Sequence, residues 1–191
     1  MNLDEEKVSA QNNFNRLVAE IPVRLSERED RFASMIERTK TNPAKKLESL
    51  YSFMTELYEF VSKYTPCKKG CSGCCHYSVT VSKVEIVHIE KNAKIKRNRS
   101  ISPRQDFHGL QCPFLKQGVC SIYEARPFVC RKHVALTSTN TWCSPDISNN
   151  ETFPLLHFSG INDAFEHIRS ESASFEVYDI RQIFGHAAPN E

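Results

Sequence analysis

The sequence predicts a mainly α-helical protein with short strands and loops, in which a helical N-terminal segment precedes a Cys-rich metal-binding core. Apolar residues recur at helical spacing before the first cysteine. Four cysteines then crowd into residues 67–75, and four more follow between residues 112 and 143. We therefore predict a helical segment at 1–64 and a Cys-cluster metal-binding domain at 65–191.

Two prolines divide the N-terminal segment into predicted helices. Pro22 and Pro43 interrupt an otherwise continuous helical spacing of apolar residues. The stretch from Leu47 to Val61 is the most strongly amphipathic. We interpret these apolar stripes as packing faces, or as a surface for a protein partner, rather than as a cofactor site.

Shorter elements are predicted after the first cysteines. The alternation in residues 77–81 predicts a short strand. Ser82 and Glu85 have capping-box spacing, and they open a predicted helix whose apolar residues extend to Ile95.

The second half of the chain contains further helix signals. Pro127 suits the first turn of a helix, which would place Cys130 near exposed backbone amides that favour a thiolate. A polar loop at 144–152 leads to a predicted helix at about 162–170 and a final piece at 178–184.

Composition narrows the class of protein. The chain has 191 residues, 40% of them hydrophobic and 25% charged, with a formal net charge of +2. No apolar run approaches the ~20 residues of a membrane span, so we expect no membrane contact. The acidic N-terminus does not resemble a signal peptide, which favours the cytoplasm. Thiols stay reduced there, and clustered cysteines are more typical of metal or catalytic sites than of disulfides.

All eight cysteines are candidate metal ligands. Zinc and iron–sulfur clusters are both held by thiolates. Neighbouring side chains point in different directions, so adjacent cysteines indicate two centres or one multinuclear centre, unless one of them is only a buried thiol. The candidate ligands are Cys67, Cys71, Cys74, Cys75, Cys112, Cys120, Cys130 and Cys143.

Other residues could contribute to this site. His76 and His133 flank the cysteines and are alternative ligands. Tyr123, Arg126 and Arg131 are expected near an open position of a catalytic centre or a bound cofactor. Nucleophilic cysteine catalysis is a weaker alternative, because it needs one activated thiol and a base rather than a cluster.

The cysteine pattern resembles the YkgJ-like Cys-cluster family, a group of zinc- or iron-chelating domains with the signature CxxCxxCC. Cys71, Cys74 and Cys75 match that signature, although three residues rather than two separate Cys67 from Cys71. The Cys-Pro-Phe-Leu motif beginning at Cys112 and the block at 120–131 match as well. The resemblance covers about 67–143 and implies metal chelation. Some relatives are flagellin lysine N-methylases, but we find no glycine-rich nucleotide-binding loop and do not transfer that activity.

Two functions follow as hypotheses. The cluster holds iron, as an iron–sulfur cluster or as iron, and serves a redox or protein-modifying reaction. Alternatively, it holds structural zinc in a non-enzymatic module that binds a protein partner through the N-terminal helices. The basic stretch at 91–104 predicts a solvated helix end rather than a nucleic-acid site, since no aromatic residues interleave with its cations.

Overall fold

The structure is a computed structural model, and it describes residues 2–148, 150, 153, 155–172 and 176–185. Helices dominate, which confirms the predicted mainly α class. They are α1 Leu3–Glu20, α2 Val23–Arg38, α3 Pro43–Val61, α4 Lys83–Ala93, α5 Phe128–Lys132, α6 Pro145–Ser148, α7 Ser159–Glu171 and α8 Ile180–Phe184. The strands are β1 Thr80–Ser82, β2 Leu115–Lys116, β3 Val119–Cys120 and β4 Val177–Asp179.

The N-terminal segment forms three helices, and their breaks fall at the predicted prolines. Helix α1 ends one residue before Ile21, whose extended backbone leads into Pro22. Pro43 is the first residue of α3, and the side chain of Asn42 accepts a hydrogen bond from the Lys45 amide at 2.9 Å. Proline at the start and a polar cap before it are therefore both present.

The main hydrophobic core lies where α2, α3 and α7 pack together. Phe32 of α2 stacks on Phe53 of α3, with ring centroids 4.5 Å apart. At the start of α7, Gly160 lies so close to the Glu29 backbone that any β-carbon would collide with the Glu29 carbonyl. The Glu29 carboxylate also accepts a hydrogen bond from the Ile161 amide at 3.1 Å. This core joins the N-terminal helices to a late helix of the chain.

Two small antiparallel sheets hold the region that carries the cysteines. β1 pairs with β4, which brings Thr80 opposite Asp179. β2 and β3 form a hairpin whose two connecting residues, Gln117 and Gly118, have φ angles of 51° and 76°. Such left-handed pairs suit the tight turn of a two-residue hairpin.

Several predicted boundaries were wrong by a few residues. The strand begins at Thr80 rather than at residue 77, because Tyr77 closes a short 3-10 helix at Gly73–His76. Helix α4 ends at Ala93, so Ile95 lies outside it. The chain turns back at Lys94, whose backbone is left-handed with a φ of 55°, and the Arg97 amide then donates to the Glu90 carboxylate at 3.0 Å.

The predictions for the other elements after the first cysteine run agree better with the structure. The capping box at Ser82 is present. The helix expected at 162–170 starts earlier, at Ser159, and the final piece consists of β4 and α8. The predicted polar loop at 144–152 contains the short helix α6, and three of its residues lie outside the described ranges. Within those ranges, no helix combines the length and apolar character needed to cross a bilayer.

Candidate metal centre

A single cavity of about 280 Å³ gathers most of the cysteine side chains. Seven of the eight line it: Cys67, Cys71, Cys74, Cys75, Cys112, Cys120 and Cys130. Cys143 lies behind the cavity wall and is 2% exposed. All eight are free thiols.

The first cysteine run is a tight loop. Gly70 has a φ of 95°, which favours glycine, and it allows the Cys71 amide to donate to the Lys68 carbonyl at 2.9 Å. The Cys75 amide donates to the Ser72 carbonyl at 3.0 Å. These turns bring sulfur atoms that are close in sequence to one side of the cavity.

Gly73 lies where the first cysteine run approaches Cys143 most closely. A β-carbon on Gly73 would lie 2.8 Å from the Cys143 carbonyl oxygen and 3.0 Å from its Cβ. The Tyr77 hydroxyl donates to the same carbonyl at 2.8 Å. Asn140 donates a hydrogen bond to the Cys71 sulfur at 3.3 Å. The last cysteine of the chain is thus held against the first cysteine loop.

The second cysteine run joins the first at the same cavity. The Cys112 amide donates to the Cys75 carbonyl at 2.8 Å, which joins the two runs through their backbones. The β2–β3 hairpin places Cys120 opposite Leu115, at the cavity wall. The turn at Gln117 and Gly118 returns Cys120 to the cavity.

Glu85 orients the helix that carries Cys130. Its carboxylate accepts a hydrogen bond from the Phe128 amide at 2.8 Å and another from the Tyr51 hydroxyl at 3.1 Å. It also closes the capping box with Ser82. One buried carboxyl thus connects α3, α4 and α5. The sequence identified Glu85 as a cap of α4 but gave no signal for its contact with α5.

Arg181 is a positioning residue that sequence reasoning missed. It is 1% exposed and pairs with Asp179 at 3.0 Å. Its guanidinium also donates to the backbone carbonyls of Cys75, Tyr77, Leu110 and Gln111. Since Cys112 follows Gln111, Arg181 fixes the backbone beside cysteines of both runs. A lone arginine in a terminal segment carries no motif that would have revealed this.

Cys74 and Cys75 form a hydrogen-bonded pair of adjacent thiols. Hydrogen bonding from Cys74 lowers the pKa of Cys75 to about 7, with burial opposing it and Arg181 and Arg126 contributing further. The same bond, together with burial, raises the pKa of Cys74. The pKa values of the two adjacent thiols are therefore shifted in opposite directions.

The predicted thiolate character of Cys130 was wrong for the thiol in this structure. Cys130 is the third residue of α5, as expected, but burial raises its pKa well above the usual value. Nearby cysteine charges raise it further, and the cation of Arg126 only partly compensates. Burial similarly raises the pKa of Cys112 and of Cys143 to about 12. Metal binding would have to displace these protons.

Tyr123, Arg126 and Arg131 all line the cavity. The Arg126 guanidinium lies 4.0 Å from the Tyr123 ring centroid, and its buried Nε has no hydrogen-bond partner. Arg131 instead donates to the carbonyls of Arg126 and Glu124 and lies over the ring of Tyr51. Of the two arginines, Arg126 therefore has the freer guanidinium.

The candidate histidines occupy different places. His133 lines the cavity, its buried Nε2 lacks a hydrogen-bond partner, and burial lowers its pKa. A neutral imidazole of this kind can bind a metal. His76 ends the 3-10 helix of the first run and is not among the cavity-lining residues. His88 packs edge-on against Tyr51, away from the cavity.

The donor set suits a thiophilic metal, although it is not preformed. Within the described ranges, no three Cys, His, Asp or Glu side chains stand close enough to hold an ion as they are. Soft thiolates select zinc, iron–sulfur clusters or copper(I). The thiols already share one cavity. Rotation of these side chains could bring the thiols around a metal ion. The residues present therefore fit a bound metal.

Fold and site together define a helical protein with a cysteine-cluster metal-binding domain. Residues 66–147 match the CxxCxxCC family, described as "Putative zinc- or iron-chelating domain". This match supports metal binding by the cluster and leaves α1, α2 and α3 outside the matched segment. Comparisons with curated proteins and with solved structures found no match.

Proposed function

We propose that this is a cytoplasmic metal-binding protein whose cysteine cluster holds iron, as an iron–sulfur cluster or as iron, and serves a redox or protein-modifying reaction. The observation that carries the proposal is the gathering of seven thiols around one cavity. The eight free thiols suit a reducing compartment. The family description supports metal chelation without choosing the metal.

Two features favour iron over zinc. Seven thiols crowd around one cavity, and such crowding suits clusters of several irons better than single zinc ions. Cations also lie beside Cys75, since Arg181 and Arg126 both lower its pKa. Positive charge and hydrogen bonds near the sulfurs tune the potential of an iron–sulfur cluster.

The cavity also supports a reactive rather than a purely structural role. Its volume of about 280 Å³ is close to the lower end of small-molecule pockets. Its wall includes Tyr58, Tyr123 and Arg126 beside the thiols. These aromatic and cationic groups would face a small substrate or cofactor next to the metal.

The second candidate is a structural zinc module that binds a protein partner. Its specific support is the set of exposed apolar side chains on α1, namely Val8, Phe14 and Val18. Structural zinc sites are closed and contribute folding free energy directly.

Anaerobic purification followed by metal, sulfide and absorption measurements separates the candidates. We expect brown protein that contains iron and acid-labile sulfide and that bleaches in air. Colourless anaerobic protein with close to two zinc ions and no sulfide would establish the zinc module instead. Protein that binds neither metal, even after reconstitution with iron and sulfide or with zinc, would refute metal binding altogether.

A further inference from the structure

The cysteines separate into two groups by their surroundings. Cys75, Cys112, Cys120 and Cys130 all pack against one hydrophobic cluster, which includes Val79, Ile86, Ile89 and Ile122. Cys67 and Cys143 instead pack in a different cluster, with Trp142 and Phe153. The division follows burial and packing rather than position in the sequence, because Cys75 belongs to the first run and joins the second.

The first group is mutually close. All four of these cysteines line the same cavity, and the β2–β3 hairpin places Cys120 opposite Leu115 at its wall. The backbone hydrogen bond from Cys112 to Cys75 joins two of them directly.

The second group surrounds the close approach of Gly73 to Cys143. The Asn140 carbonyl accepts a hydrogen bond from the Cys143 amide at 3.1 Å, and the Asn140 side chain donates to the Cys71 sulfur at 3.3 Å. Tyr77 donates its hydroxyl to the Cys143 carbonyl at 2.8 Å and its amide to the Cys74 carbonyl at 3.2 Å. Asn140 therefore connects Cys143 with Cys71, and Tyr77 connects Cys143 with Cys74.

Cys74 lies at the border between the groups. It adjoins Cys75 in the chain, but it also lies in the 3-10 helix whose Gly73 packs against Cys143. We assign it to the second group because four thiolates already complete the first, and both tetrahedral zinc and common iron–sulfur clusters take four.

We propose that the eight cysteines hold two separate metal centres, with the boundary between Cys74 and Cys75. This inference rests on the proposed metal-binding function and adds the division of ligands. The Cys75 set consists of Cys75, Cys112, Cys120 and Cys130, and the Cys71 set consists of Cys67, Cys71, Cys74 and Cys143. The adjacent thiols Cys74 and Cys75 thus belong to different centres.

Metal content of matched double variants tests the division. Cys120→Ser should remove the metal of one centre, about half of the total. Adding Cys75→Ser should cause no further loss, because both residues belong to the Cys75 set. Adding Cys74→Ser instead should remove nearly all of the remaining metal. The two double variants differ only in which of two adjacent cysteines is replaced.

Alkylation of the wild-type protein supplies a readout that does not depend on how variants fold. A chelator is titrated in while free thiols are trapped, and the labelled cysteines are identified by mass spectrometry. Cysteines of one set should become labelled together, and the two sets should be labelled at different chelator concentrations.

The outcomes separate the two proposals. Wild-type protein without bound metal after reconstitution would refute the proposed function and this division with it. Metal-replete wild-type protein in which Cys120→Ser alone loses all metal would overturn only the division. Equal losses in the two double variants, or labelling of all eight cysteines in one step, would also overturn only the division.

Discussion

Gly73 lies directly against the backbone of Cys143, so the first cysteine loop and the last cysteine touch where no side chain fits. This contact brings together residues 70 positions apart in the sequence. The Tyr77 hydroxyl donates a hydrogen bond to the Cys143 carbonyl, and this bond keeps Cys143 close to the first cysteine loop. The candidate centre therefore needs a residue without a side chain at position 73.

Gly73→Ala should lower metal content and stability. Its β-carbon would force the loop away from Cys143, and such overpacking costs about 1–3 kcal/mol. Metal analysis after anaerobic purification and thermal unfolding measure the two effects. Ser72→Ala is the matched control in the same loop and should leave both near wild type. If Gly73→Ala keeps full metal content, the close approach is not needed for the centre.

Arg181→Met should destabilise the protein strongly. Arg181 satisfies backbone carbonyls beside Cys75 and Cys112 and neutralises the buried Asp179. Removing one partner of a buried ion pair costs about 3–5 kcal/mol. Chemical denaturation measures this as a lower free energy of unfolding, and metal content should fall in parallel.

Arg97→Met is a matched control for that variant. Arg97 pairs with Glu90 at 2.5 Å, but its side chain is 39% exposed. Exposed ion pairs contribute about 0–1 kcal/mol. We therefore expect little change, and similar losses in both arginine variants would contradict the positioning role of Arg181.

Glu6 should make stability depend on pH in the acidic range. Burial alone would raise its pKa, but four hydrogen bonds from Ser138 and Thr139 outweigh burial and lower it below the usual 4.5. A carboxyl with a lowered folded pKa contributes stability above its unfolded pKa, and this is lost as the pH falls through the folded pKa. These bonds also hold the loop that precedes Cys143 against α1.

Glu6→Gln should therefore lower the free energy of unfolding by about 1–3 kcal/mol at neutral pH, since hydrogen bonds to a charged group are lost. The difference from wild type should shrink as the pH falls below 4.5. Denaturation at a series of pH values measures it. Glu5→Gln removes an exposed charge from the same helical turn and should change little. An undiminished difference at low pH would refute the charge-dependent role of Glu6.

Local signals in the sequence predicted the helices and their breaks well. Pro22, Pro43 and the capping box at Ser82 act through neighbouring backbone atoms, so their effects can be read from nearby residues. Predicted helix boundaries were wrong where a contact between residues further apart in the sequence determines where the helix ends. The turn after α4 is held by the Arg97 backbone amide, which donates to the Glu90 carboxylate, and no periodicity reveals this contact.

The cysteines themselves were visible in the sequence, but their arrangement was not. Their type and spacing identify ligands, whereas the grouping depends on contacts between Cys75 and Cys112 and between Gly73 and Cys143. The role of Arg181 could not be predicted from the sequence, because its side chain donates to backbone carbonyls that are distant in the sequence. The division of the chain at residue 64 stays a prediction.

The last prediction concerns the two parts of the chain when metal is removed. Seven cysteine side chains line the cavity, and their mutual approach would depend on the metal. Helices α2 and α3 have an apolar core of their own with α7, which includes Phe32, Phe53 and Ile161. We therefore expect residues 67–143 to depend on the metal more than the N-terminal helices do.

Anaerobic chelation followed by trypsin digestion and circular dichroism tests this difference. Cleavage should speed up first after Lys69 and Lys116, which are exposed residues beside cysteine-bearing turns. Lys46 should stay protected, because it is 2% exposed and paired with Glu171 at 2.8 Å in the helical core. Most of the helical signal should persist while the cysteine region is cut. If chelated protein resists trypsin as well as the metal-bound form, or if Lys46 is cut as early as Lys116, the metal does not stabilise the two parts differently.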